Sequence, residues 1–353
     1  MSKQLTRRKS LKIGMASTGI FLGASCQSTP PRETSQVQTV KGPGREPFWE
    51  PGPNKNLVRD LTPGPTPIRI SGSVRFSEGD DIGEYVRNLR EQGFSSTTLR
   101  PDPWYSMSDS KLSELQAAMK QHDVVIFEIG GYRNLLHTDE TVRQDNIKHI
   151  AYCLEAADKV GCPMVGTISG SRNPEGNKWG DNYAVHPDNW TMETWNLLID
   201  SIKQILRDTA GMKAVIGMEA QVTTNQDTSL AQKRLMEDVG DERLKVNLDP
   251  TNMCHLYNHF HTTELINDCF DLLGEDIMGC HAKDTYVIPH EQTVHVQEVC
   301  PGRGNMDYET YIVRMSRLKW PRTLHPEHIP NDQYPEARAY IRKVAEKVGV
   351  KVL

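Results

Sequence analysis

The chain has 353 residues, with 41 Lys and Arg against 46 Asp and Glu, a formal charge of −5. Five of the basic residues and none of the acidic ones fall in the first 26 positions, so the remainder stands at −10. That balance leaves no basic face for phosphates and excludes nucleic acid as a partner. Six cysteines follow Cys26 (Cys153, Cys162, Cys254, Cys269, Cys280 and Cys300) without a Cys-x-x-Cys pair, which predicts buried thiols rather than a disulfide framework.

In chain order, the first feature is Thr6-Arg7-Arg8-Lys9-Ser10 ahead of a short apolar run, Ile13 to Ala24. Paired arginines before a stretch too short to span a bilayer have the layout of a twin-arginine export signal, with the export machinery as a partner. Leu22-Gly23-Ala24-Ser25-Cys26 resembles a lipoprotein cleavage box in which Cys26 is acylated. Gly23 stands where such boxes usually have Leu, so cleavage without a lipid is the alternative. The expectation is an exported protein, periplasmic or anchored by a lipid at Cys26, with no other membrane contact. Residues 27–66 are rich in Pro, Gly, Ser and Thr and read as a disordered tether. Residues 67–353 carry no second linker and have the size of one α/β barrel domain.

From residue 68 onward, short β-branched runs alternate with segments of helical period. The expected strands cover 68–74, 96–100, 124–129, 164–168, 214–218, 244–248, 277–280 and 322–324. Helices are expected over 80–92, 110–121, 140–160, 192–208, 229–237, 263–273, 307–318 and 334–348, with Ser110 and Thr263 among the candidate caps. A count of eight strand–helix pairs predicts an α/β fold, a single-domain (βα)8 TIM barrel. An open doubly wound sheet is the alternative, but the Gly-x-Gly-x-x-Gly turn of a dinucleotide fold is missing after the first strand.

Barrel chemistry gathers where strands end. The last four strands run into Glu219, Asp249, His281 and Glu327. Any one of these has an ordinary structural reading as a cap, a turn residue or a satisfied core histidine. Four on successive strands fall around one ring and can converge on a single divalent metal. Three carboxylates and one imidazole suit Mn2+ or Mg2+, with Co2+ or Zn2+ less favoured.

Glu219, then Asp249-Pro250-Thr251-Asn252, then His281-Ala282-Lys283-Asp284, then Pro301-Gly302-Arg303-Gly304 with Met306-Asp307-Tyr308, and finally Glu327 resemble the xylose isomerase-like barrel superfamily. Its members are usually described as sugar phosphate isomerases/epimerases. The resemblance implies that the Glu, Asp, His, Glu set binds one metal, commonly Mn2+, and that Glu219 and Glu327 act as the catalytic acid and base. Two positions depart from the pattern. Asn252 stands where ketose epimerases often have His. Strands two and three end at Arg100 and Glu128, where endonuclease-type relatives carry the extra histidines of a three-zinc cluster.

Substrate contacts are expected from Asn252, Lys283 and Arg303 on the metal side of the mouth, and from Arg100, Glu128, His137, Arg172 and Trp179 on the other. For the latter group, a solvated loop over 169–187 with incidental charges is the alternative. The reaction expected is proton abstraction beside a carbonyl of a small carbohydrate, through an enediolate-like intermediate, giving isomerisation or epimerisation. A lyase or hydratase acting on 3-keto sugars or glycosides would share that intermediate. A non-catalytic, metal-assisted sugar-binding lipoprotein is the third reading, which the presence of both glutamates disfavours.

Overall fold

The computed structural model describes residues 59–353 except 73–75, 78, 176–182, 289 and 291. The leader, Cys26, most of the tether and Trp179 lie outside the described residues. The elements run β1 (Arg69–Gly72), α1 (Ile82–Glu91), β2 (Ser96–Leu99), α2 (Asp109–His122), β3 (Val125–Gly130), α3 (Glu140–Val160), β4 (Met164–Ile168), α4 (Met192–Asp208) and β5 (Val215–Glu219). They continue as α5 (Ser229–Val239), β6 (Leu244–Leu248), α6 (Thr262–Leu273), β7 (Ile277–Ala282), β8 (Asp284–Val287), β9 (Val296–Val299), α7 (Tyr308–Ser316), β10 (Thr323–Pro326) and α8 (Tyr334–Lys347).

Eight of the strands pair in parallel as a closed barrel in the order β1-β10-β7-β6-β5-β4-β3-β2. The protein is a (βα)8 TIM barrel, as the alternation of short β-branched runs with helical segments implies. Each helix turns an apolar stripe to the barrel. In α1, Ile82, Tyr85, Val86 and Leu89 are buried, the i, i+3, i+4, i+7 spacing of one face. All six cysteines among the described residues are buried and free.

The helix starts differ in detail from expectation. The cap of α2 is Ser108, whose extended backbone lets its hydroxyl accept from the amide of Lys111; Ser110 lies inside the helix. α6 begins at Thr262 after His261, with no side-chain cap, so Thr263 is its second residue. The antiparallel hairpin β8–β9, inserted between β7 and α7, is an addition to the elements expected from the sequence.

Two β-bulges shape the interior. Thr97 and Thr98 pair with Ile126 and Glu128, leaving Phe127 as an extra residue in β3. Val246 and Asn247 pair with Ile277 and Gly279, leaving Met278 extra in β7. An extra residue re-aims the side chains that follow it. Glycines then make room in the middle of the barrel. A Cβ on Gly217 would stand 2.3 Å from Met164 Sδ, and one on Gly279 would stand 2.9 Å from both Asn247 Oδ1 and Met164 Cε. Met164 and Phe127 thus fill the floor beneath the mouth.

Residues 59–66, the end of the Pro and Gly-rich stretch, lie against α7. The Gly64 amide donates to Ser316 Oγ at 2.8 Å, the Thr66 amide to the Ser316 carbonyl at 3.1 Å, and Arg317 pairs with Asp60 at 2.8 Å. No helix among the described residues is long and apolar enough to cross a membrane. A Cβ on Gly64 would fall 2.2 Å from the Ser316 carbonyl oxygen and 2.6 Å from Arg317 Cα. Gly64→Ala is therefore expected to lift this strap, costing about 1–3 kcal/mol as an overpacking change does. Hydrogen exchange should show the Thr66 amide losing protection while amides of the barrel strands keep theirs. Unchanged protection at Thr66 would refute the close approach.

Candidate metal centre

Side chains alternate along a strand, so residues two apart share the interior. β5 carries Gly217 and ends on Glu219; β6 carries Asn247, with Asp249 next beyond its end; β7 carries Gly279 and His281; β10 carries His325, with Glu327 one residue past Pro326. Helix α7 holds two of these strand ends. Tyr311 donates its hydroxyl to the carbonyls of Leu248 and His281 at 3.2 and 3.1 Å, and Tyr308 to that of Lys283 at 2.8 Å.

The result is a compact group in which one atom each of Glu219, Asp249, His281 and Glu327 lies within 4.8 Å of the others. His281 Nδ1 is 3.0 Å from Glu327 Oε1, 3.4 Å from Glu219 Oε2 and 3.8 Å from Asp249 Oδ2. Glu219, Asp249 and His281 are 3%, 1% and 1% exposed, and the Glu327 side chain 16%, so the group opens to solvent on the Glu327 side. Asp249 Oδ2 has only the Lys283 ammonium, at 2.9 Å, as a partner, and His281 Nδ1, 3.8 Å from it, is buried without a hydrogen bond. Buried polar atoms are rarely left so. An unpartnered imidazole nitrogen facing three carboxylates is what a cation-binding site presents, and the oxygen-rich donor set fits a hard divalent ion.

A polar layer lies behind the ligands. Glu128 Oε2 is 3.3 Å from His281 Nε2, and Asn247 Nδ2 is 3.0 Å from the same nitrogen. A carboxylate is the stronger partner for the Nε2 proton. With that proton on Nε2, Nδ1 is the nitrogen turned toward the three carboxylates, the arrangement that orients a metal-binding histidine. Tyr132 accepts from Asn247 Nδ2 at 3.2 Å and has Glu128 Oε1 at 2.8 Å and Glu219 Oε2 at 3.1 Å as acceptors for its hydroxyl proton. Gly166 leaves the space for this layer, since a Cβ there would meet Glu128 Oε1 at 2.2 Å.

Lys283 occupies the remaining side, 2.5 Å from Glu327 Oε1, 2.9 Å from Asp249 Oδ2 and 3.1 Å from Asn252 Oδ1. Burial alone would lower the His281 and Lys283 pKa values, but the surrounding carboxylates hold both well above their usual range. The two glutamates diverge. Burial raises Glu219, whereas for Glu327 the cations His281 and Lys283 overcome burial and hold it well below the usual carboxylate value.

A profile of the xylose isomerase-like TIM barrel family matches residues 86–344. The chain belongs to this family. Similar solved structures of the same fold include a 3-keto-D-glucoside 4-epimerase from E. coli (18% identity, TM-score 0.55, covering 79% of this chain and 99% of that one). A xylose isomerase-like TIM barrel protein from Mycobacterium smegmatis in complex with magnesium is 17% identical (TM-score 0.55, 80% and 97%). A probable 3-DHS dehydratase from Bacillus anthracis is 15% identical (TM-score 0.59, 79% and 99%). At these identities the likeness carries the fold alone. No curated protein matches the sequence.

Within this family barrel, Glu219, Asp249, His281 and Glu327 come together from their strand ends, and Lys283 and Asn252, singled out by the motifs of the resemblance, lie against them. Asn252 Nδ2 donates to Glu219 Oε1 and its Oδ1 accepts from Lys283. Glu128 sits behind His281 rather than at the mouth. The other expected substrate contacts are engaged elsewhere or lie at the surface. Arg303 is bound to Glu336 by Nε at 2.8 Å and Nη2 at 2.5 Å. Arg172 donates to the Leu136 carbonyl at 3.1 Å, and His137 Nδ1 accepts from the Asp139 amide at 3.0 Å. Arg100 is exposed beyond β2. Tyr132, Asn247, Glu298 and His328 join the site without being singled out by strand ends or motifs. Asn247 does carry a signal, being two residues before Asp249 on the same strand face.

The centre should hold about one metal equivalent, measured by elemental analysis, and His281→Ala should lose most of it while the barrel stays folded. Glu128→Ala, which frees His281 Nε2, should weaken metal affinity about 10–100-fold. Full metal retention by alanine variants at all four ligand positions would overturn the assignment.

Proposed function

We propose that the protein is a divalent-metal-dependent sugar isomerase or epimerase that removes and returns a proton beside a carbonyl, through an enediolate-like intermediate. The observation that carries this reading is the placement of two carboxylates, Glu219 and Glu327, against the same His281 nitrogen at 3.4 and 3.0 Å, with different surroundings. Glu219 is held by Tyr132 and Asn252, and Glu327 by Lys283 at the solvent edge. Two carboxylates in unlike environments can take opposite roles as acid and base. A divalent cation, Mn2+ in this proposal with Mg2+, Co2+ or Zn2+ as alternatives, would polarise adjacent substrate oxygens and favour ionisation of the carbon between them.

The chain's own residues do the remainder. Asn252 fixes Glu219 Oε1, so that Oε2, beside Tyr132 and His281, is the oxygen available for proton transfer. Lys283 supplies a positive charge on the face where the substrate oxygen gains electron density. The barrel floor of Met164 and Phe127 keeps water from reaching the reacting carbon from below.

The same proton abstraction followed by loss of a β-substituent would make the protein a lyase on a 3-keto sugar or glycoside. A probable dehydratase shares the fold, so the fold is compatible with that branch. The paired arginines and the Cys26 box support a site of action outside the cytoplasm, where unphosphorylated sugars are met.

Incubation of metal-loaded protein with its sugar in D2O should place deuterium on the carbon beside the carbonyl. Glu219→Gln and Glu327→Gln should each slow this by about 10²–10⁴-fold, the usual worth of a general acid or base. Asn252→Ala should raise KM more than it slows exchange. Unimpaired turnover by both glutamine variants would eliminate the pair as acid and base. For localisation, replacing Arg7 and Arg8 with Lys should trap the protein in the cytoplasm, as fractionation would show. Equal export after that change would refute the leader assignment.

A further inference from the structure

A second cleft adjoins the metal centre. One wall is β9 and the turn after it, with Gln297, Glu298 and Arg303; the other is the β10–α8 connection, with His328 and Gln333. Its volume is about 220 Å³, small beside the roughly 300–1,000 Å³ of pockets for drug-sized molecules. Its inner edge is shared with the centre. Glu298 Oε2 lies 4.0 Å from Lys283 Nζ, His328 Nε2 lies 4.0 Å from Glu327 Oε1, and His328 Nδ1 joins Glu298 at 3.2 Å. A molecule bound at Glu327 therefore meets the cleft as soon as it extends past its reacting end.

The cleft is built rather than incidental. The buried Asp284 carboxylate gathers the turn below it, accepting from the amides of Thr285 and Met306 on Oδ1 at 2.9 and 2.8 Å and of Gly302 on Oδ2 at 2.9 Å. Gly302 has a φ of +91° and leaves no room for a Cβ, which would stand 2.6 Å from the Tyr340 ring. Arg303 is fixed to Glu336 by two hydrogen bonds. His328 has a φ of +55°, a backbone conformation few residues other than glycine adopt.

The lining selects its ligand by charge. The Arg303 guanidinium is neutralised by Glu336, and the Glu298 carboxylate faces His328, so the described lining offers no uncompensated cation to hold a phosphate. What remains are two carboxamides, an imidazole and a carboxylate, groups that hydrogen-bond hydroxyls in both directions. We propose that this cleft is a second sugar subsite, taking the neutral ring attached to the reacting one, so that the substrate is a disaccharide or keto-glycoside whose reacting ring carries the carbonyl, at a reducing end or a keto position, and not a free or phosphorylated monosaccharide. The inference rests on the sugar reading of the metal centre and narrows it.

The test is calorimetric binding to the metal-loaded full chain, with glucose, galactose and mannose each offered as the free sugar, as a disaccharide and as the 6-phosphate. At least one disaccharide should bind about tenfold more tightly than its monosaccharide, the effect of one or two added hydrogen bonds. Gln333→Trp, which fills the cleft without touching the centre, should abolish that advantage, and Gln297→Ala should reduce it. Metal and monosaccharide affinities should be unchanged in both, which also shows that the variants fold. No disaccharide advantage in wild type, an advantage that survives Gln333→Trp, or tightest binding by a 6-phosphate would each overturn the subsite. Monosaccharide deuterium exchange that persists in those cases would leave the proposed chemistry standing, whereas sugar turnover without Glu219 and Glu327 would remove it independently.

Discussion

Four carboxylates around one imidazole is the constraint that organises this protein. Glu128, Glu219, Asp249 and Glu327 all approach His281, in a region where most of the atoms are shielded from water. Burying charge is costly unless it is matched, and with His281 neutral and its Nδ1 left to a metal, Lys283 supplies one positive charge against four negative ones. A divalent cation at the cluster would cover most of that shortfall, with the candidate ligand atoms already facing each other. The same arithmetic explains why Lys283, a residue type rarely buried, is 1% exposed here.

The barrel meets this demand with small adjustments to a regular frame. Parallel strands place their ends around one ring, and period-two alternation turns 219, 249, 281 and 327 inward. The bulge at Phe127 allows both Phe127 and Glu128 to serve the interior, one as floor and the other as partner of His281. Gly166, Gly217 and Gly279 give up side chains where Glu128, Met164 and Asn247 need the volume. Beyond the strands, Tyr308 and Tyr311 of α7 tie the ends of β6 and β7, so the ligands rest on a helix as well as on the sheet.

Much of this frame is legible in the amino-acid sequence. Strand ends need only alternation and β-branched runs to be found, and so the four candidate ligands can be read directly, whereas Asn252 and Lys283 are singled out by the motifs of the family resemblance. The hairpin β8–β9 cannot be read this way, because residues 294–298 are exposed, the two buried residues of β8, Asp284 and Thr285, are polar and adjacent, and the strands pair with each other rather than with the barrel, so no alternating apolar pattern is set. Tyr132 lies in the connection after β3, where no periodicity aims a side chain. The end of β3 marks Glu128 as a functional residue, but the bulge at the residue before it sends its carboxylate behind His281 instead of into the mouth. Arg303 stands in the right motif, yet its partner Glu336 is distant in sequence and meets it only once α8 is folded against the turn.

The filled floor has a consequence for traffic. Met164 and Phe127 lie beneath the candidate ligands, and Glu327 marks the open side, so an ion and the proposed sugar would share one entrance. A sugar lying across Glu327 would cover the ion's way out. On the proposed function, loading would be sequential, cation first and carbohydrate second, and a bound carbohydrate would act as a stopper that slows loss of the ion to a chelator.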